Sequence, residues 1–159
     1  MEKPSRIFVC SMADLFGKWV PGEWIQAILS EVHLNPQHTF LFLTKNPEGL
    51  PEFNPWPENA WVGATATDNT AKEKALFQFS FIEAKVKFLS CEPLLGPIWI
   101  NRRYRHLNWV IVGAMTGPQA VKPEAPWVED LIRDCQAAET PVFLKDNLGW
   151  AEKIQEWPR

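Results

Sequence analysis

Lysines, acids and hydroxyls recur in this chain just after short apolar runs. Ser11 and Asp14 follow the first run, and Thr44 and Lys45 the second. Thr65 and Thr67 follow the third, Ser90 and Glu92 the fourth, Gly113 and Thr116 the fifth, and Lys145 and Asp146 the sixth. Lys45 and Lys145 could hold an anionic group such as a phosphate or a carboxylate, and either could act as a base once desolvated. Glu92 comes two residues after Ser90, so at strand spacing both face the same side. It could bind a ribose or an amine, or serve as acid or base, and its purely structural role would be a salt bridge to a neighbouring lysine. Gly113 and Gly117 let backbone approach a ligand closely. On this reading Lys45, Glu92 and Lys145 are the candidate catalytic residues. Ser11, Asp14, Thr44, Thr65, Thr67, Ser90, Gly113, Thr116 and Asp146 would line the ligand.

Other chemistry finds less support. Gly113-x-x-x-Gly117 is neither the glycine fingerprint of a dinucleotide fold nor a Walker loop. His33, His38 and His106 form no ligand pattern, so no metal site built by the protein is expected. Cys10 and Cys91 stand at strand ends and could be nucleophiles or soft ligands. The alternative, preferred here, is buried and inert thiols. Cys135 falls on a helix stripe and reads as core.

The elements that would position these residues are legible. Ile7–Cys10, Thr39–Leu43, Trp61–Ala64, Val86–Leu89, Trp109–Val112 and Pro141–Leu144 are rich in Val, Ile, Phe, Leu or Trp, and none shows clean polar alternation. Such strands are covered on both faces, as in a parallel sheet between or beneath helices. Pro21 to Leu34, Thr70 to Ile82 and Pro126 to Ala138 carry apolar residues on one stripe, with Asp68 or Asn69 as a cap for the second. Alternating strands and helices predict βαβ units, here a single α/β domain over residues 1–159. It would be an incomplete parallel β/α barrel, TIM-barrel-like, with about six strands and flanking helices. Ligands of parallel sheets sit at the carboxyl ends of the strands, where the polar residues fall. Polar loops alone would account for some of this pattern. Asn46 to Asn59, with four prolines, predicts a loop with at most one helical turn. Leu94 to Leu107 is ambiguous, and Trp150 to Arg159 reads as a short terminal helix.

The bulk composition narrows the classes. The 159 residues suffice for one core, and the net charge of −3 gives no general pull toward nucleic acid or anionic membrane. No apolar run is long enough to span a membrane. The amino terminus lacks signal-peptide features, and three cysteines, an odd number, suit a reducing cytoplasm. The fourteen prolines and nine tryptophans read as turn chemistry and core packing. Arg102-Arg103-Tyr104-Arg105 is a weak nucleic-acid signal beside the simpler reading of a solvated face. An incomplete barrel leaves sheet edges open, so some self-association is expected.

The strings Ile7-Phe8-Val9-Cys10-Ser11-Met12-Ala13-Asp14, Leu43-Thr44-Lys45-Asn46-Pro47, Phe88-Leu89-Ser90-Cys91-Glu92-Pro93 and Trp109-Val110-Ile111-Val112-Gly113 resemble a bacterial and phage-associated family of unknown function. Its members look like radical S-adenosylmethionine (SAM) barrels. The resemblance implies a strand-end face that cradles SAM and a substrate. Full-length members carry, upstream of the first string, a cysteine-rich segment resembling an iron–sulfur loop. Cysteines at 10, 91 and 135 cannot mimic such a clustered trio. The fifth strand of relatives commonly ends Gly-Gly-Glu-Ser-Gly. Here it reads Gly113-Ala114-Met115-Thr116-Gly117, with one acid fewer. The resemblance therefore implies a SAM-cradling portion without its cluster, not catalytic alone. Two alternatives stand beside it: a nucleic-acid-associated mobile-element protein using the tryptophans and Arg102, Arg103 and Arg105, and a cluster-independent enzyme using the Lys/Glu strand-end site.

Overall fold

The computed structural model describes residues 3–158. Six strands form one sheet: β1 (Arg6–Phe8), β2 (Thr39–Thr44), β3 (Ala60–Thr65), β4 (Val86–Cys91), β5 (Trp109–Val112) and β6 (Val142–Leu144). They lie side by side in chain order, and every neighbouring pair is parallel. Helices α1 (Gly22–Leu34), α2 (Asn69–Phe79) and α3 (Ala125–Ala137) make three of the crossovers. Sequential order with parallel pairing is the winding of a β/α barrel, here curled to about half of one.

Register and alternation sort the strand residues onto two faces. Phe42, Val62, Ala64, Leu89, Val110 and Val112 face outward and bury against Ile25, Leu29, Leu76, Phe79, Val128 and Leu131 of the helices. The inner face holds a second cluster of Leu41, Phe88 and Trp109, with Leu43, Trp61, Ile111 and Phe143 packed on it. Both faces are covered, which is why the strands lack polar alternation. Helix α2 starts where Asp68 accepts the Ala71 amide at 2.9 Å.

Two connections carry structure that local pattern left open. Pro47–Phe53 is a seven-residue 3-10 helix rather than a loop with one turn, anchored by fully buried Leu50. Leu94 to Leu107 contains no helix or strand; it stands in place of a helix by burying Leu94, Ile98, Ile100 and Leu107. The Lys72 ammonium, 2% exposed, holds this segment to α2 through Trp99 O at 2.9 Å, alongside Glu73 Oε1 at 2.8 Å. The Tyr104 hydroxyl donates to the same Glu73 oxygen at 2.8 Å.

The tail is the clearest correction. Residues 150–158 form no helix, and Arg159 lies outside the described residues. Gln155 pairs antiparallel with Phe143, Leu144 N donates to Ile154 O and Glu156 N to Val142 O. A terminal helix would have left the edge of β6 unsatisfied; pairing along it satisfies backbone groups. The same course also places Trp157 against Trp109 (ring centroids 4.7 Å apart), Phe143 (5.6 Å) and Trp61 (6.3 Å). The Arg6 guanidinium of β1 lies 3.9 Å from the centre of the Trp157 ring. One tail residue thus touches the first strand and the far side of the sheet, closing the amino-terminal face of the half-barrel. No helix of the described residues is long and apolar enough to cross a membrane.

Candidate functional site

The residues after β4, β5 and β6 meet at the carboxyl mouth. Thr65 pairs in register with Ser90, and Ser90 with Ile111, so Thr65, Ser90, Glu92 and Gly113 fall on inward positions. Lys145 follows Phe143 on the same face. Its ammonium meets Glu92 Oε2 at 2.7 Å, with the two side chains 43% and 25% exposed. Asn147 Nδ2 donates to the other oxygen, Glu92 Oε1, at 3.1 Å and to Ala114 O at 3.0 Å. Ala114 N in turn donates to Asn147 Oδ1 at 3.4 Å. Glu92 lies over Gly113, where a Cβ would come within 2.8 Å of Oε1. The carboxylate is thus bracketed by a cation and an amide, with glycine beneath it.

The other side of the mouth is organised by Asp14. Its Oδ1 accepts from Thr44 Oγ1 (2.7 Å) and Phe16 N (3.0 Å), and its Oδ2 from Lys45 N (2.8 Å) and Asn46 Nδ2 (3.1 Å). Three of these donors, from Thr44, Lys45 and Asn46, tie the loop after β1 to the end of β2. Thr44, 1% exposed, uses its hydroxyl inside this network, accepting also from Asn46 N. Lys45 is left exposed on an inward position, held by its backbone.

The remaining candidates divide. Ser90 is buried at the floor, 4% exposed, and Thr67 O accepts the Leu95 amide. Ser11 and Thr116 are exposed on their loops. Asp146 points along the tail, accepting from Gln155 Nε2 at 3.2 Å and lying 3.7 Å from Lys153, away from Glu92. Asn147, absent from the sequence-based set, takes the place beside Glu92. Nothing marks it in one sequence, because its role depends on Ala114, 33 residues earlier.

The cysteines also divide. Cys91 ends β4 on the outward face and is fully buried, which pushes its thiol up to about 12. Burial raises Cys135 as well, beyond the usual thiol range. Cys10, expected to be buried, is exposed, with a left-handed φ of 53°. Strand β1 ends at Phe8, so Cys10 falls in the turn beyond it.

A family model described as a protein of unknown function, DUF5131, matches residues 1–157. The chain belongs to the DUF5131 family. Comparison with curated proteins and with solved structures returns no match. The fit of an iron–sulfur cluster to this family member can be judged from its own side chains. Cys91 and Cys135 are buried beneath helices on the outward face, away from Cys10. Among the described residues no three His, Cys, Asp or Glu side chains are grouped to hold a metal ion. These cysteines do not fit a cluster.

A cleft of about 830 Å³ opens at the opposite, amino-terminal face, lined by Lys85, Arg102, Arg105 and Trp157 among others. The mouth is the candidate site by its chemistry: one polar cluster around Glu92 and another around Asp14 stand at strand ends, the end at which parallel sheets bind ligands.

Proposed function

We propose that this chain is a ligand-cradling half-barrel whose carboxyl mouth holds a small molecule of the adenosyl type, SAM or its demethylated product. It does not by itself cleave that ligand. The bracketed Glu92, fixed by Lys145 and Asn147 over Gly113, is the observation that carries the reading. A half-exposed ion pair adds little stability, ~0–1 kcal/mol, so a triad positioned this closely is better explained by ligand binding than by folding. Glu92 retains lone pairs toward the mouth for hydroxyl or ammonium donors, and Lys45 offers a cation for a carboxylate. The resemblance to radical-SAM barrels supplies the adenosyl identity; the geometry supplies only the polarity of the ligand.

Titration calorimetry with SAM and with S-adenosylhomocysteine tests this. Saturable heat is expected from the unmodified protein, with affinity at least tenfold weaker in Glu92→Gln and Lys145→Met. Absence of heat with both compounds at millimolar concentration would sink the proposal.

A further inference from the structure

The amino-terminal cleft has a construction of its own. Lys85 precedes β4, while Arg102 and Arg105 come from the irregular segment between β4 and β5, and all three line the same concavity. None of them forms an ion pair with a described residue. Two acids also line the cleft, Glu139 and Glu156, and Glu156 is already engaged, accepting Val142 N with Oε2 at 2.9 Å.

The segment that presents the arginines is fixed in place. Ile100 N donates to Asp134 Oδ2 at 3.1 Å, and Tyr104 is tied to Glu73. Arg102 Nε donates to Ala137 O at 2.7 Å. That bond offsets the partial negative charge at the carboxyl end of α3 and orients the guanidinium. Its two Nη groups make no hydrogen bond to described residues. Three cations around one concavity face a single unengaged acid, Glu139, so positive charge is in excess there and an anion among them relieves the repulsion. Arginine's planar donors match phosphate oxygens in particular. A second cleft of about 720 Å³, carrying His33 and Trp61, adjoins the first and shares Lys85 and Val86 with it.

We infer that the amino-terminal cleft is a phosphate site that takes a nucleotide phosphate, either free or within a single strand. It lies on the face away from the mouth and does not depend on what the mouth binds.

The test uses adenosine monophosphate by calorimetry and a fluorescein-labelled oligothymidylate by anisotropy, each against the full chain. Saturable binding is expected for at least one. For a strand neutralised by three cations, log K should fall against log salt with a slope of about −2. Competition by the mononucleotide identifies the free nucleotide as ligand; binding of the oligomer alone identifies the strand. Lys85 and Arg105 are exposed and hold no other element, so the double variant Lys85→Glu/Arg105→Glu should keep the melting temperature and lose binding at least tenfold. Glu92→Gln should bind as the unmodified protein does. The inference is overturned if neither probe binds at low salt, or if the double variant binds as well as the unmodified chain.

Discussion

A methyl group at position 113 would sit 2.8 Å from Glu92 Oε1 and 2.9 Å from its Cδ. Those atoms belong to the outer part of a side chain that can swing toward solvent, so Gly113→Ala should disturb the site more than the fold. The expected outcome is an affinity for the mouth ligand reduced tenfold or more, about 1.4 kcal/mol, with the melting temperature unchanged within a few degrees. Calorimetry and thermal melting, run on the same sample, separate the two effects. The cysteines give a second residue-scale expectation. Cys10 is exposed, whereas Cys91 and Cys135 are buried and held as thiols by that burial. Native protein should therefore modify once with a thiol reagent and three times after denaturation, counted by intact mass. Rapid modification of two or more sites in the native state would contradict the burial of Cys91 and Cys135.

Among the elements, α2 and the segment after β4 depend on one ionic cluster. The Lys72 hydrogen bond, with that of Tyr104, lowers the Glu73 carboxyl below its usual 4.5. A carboxyl depressed in the folded state contributes stability above its unfolded value and loses it as pH falls through the folded one. Resistance to unfolding should thus decline as pH drops below about 4.5, and Glu73→Gln should flatten part of that decline. Chemical denaturation between mildly acidic and strongly acidic buffer measures the slope. On the inner sheet face, a Cβ at Gly63 would lie 2.3 Å from Phe88 Cζ. Phe88 is fully buried and wedged beside Trp109, so Gly63→Ala should cost about 1–3 kcal/mol of stability, read from the denaturation midpoint.

For the whole molecule, the two edges of the sheet differ. The tail covers β6, whereas β1 has β2 on one side and, among the described residues, no strand on the other. The tail also adds Trp157 to the inner cluster, and its Glu156 carbonyl accepts from Trp109 Nε1 at 2.9 Å. Removing residues 154–159 should lower stability by about 2–4 kcal/mol, in the range of a large core truncation. It should also bare the β6 edge and raise the tendency of copies to associate. Light scattering beside thermal melting checks both. A truncated chain as stable and as monodisperse as the intact one would show that the clasp does not hold the half-barrel together.

Read alone, the sequence determined the order of the six strands and of the three α-helices, the parallel sheet and the end at which polar residues collect. Those features follow from local periodicity: unbroken apolar runs such as Trp109–Val112, helical stripes such as Ile25 to Val32, and Asp68 poised to cap α2. Lys45, Glu92 and Lys145 were visible for the same reason, each lying at a strand end. The tertiary structure alone decided what these residues touch. Asp14 proved to be a four-donor hub for two loops, Asn147 rather than Asp146 completed the Glu92 cluster, and Cys10 came to the surface because β1 stops at Phe8. It also decided the tail, whose residues have a helical look that a free β6 edge and a pocket for Trp157 override. Each of these rests on contacts between residues far apart in the chain, such as Arg6 with Trp157 or Glu92 with Lys145, and local pattern carries no information about them.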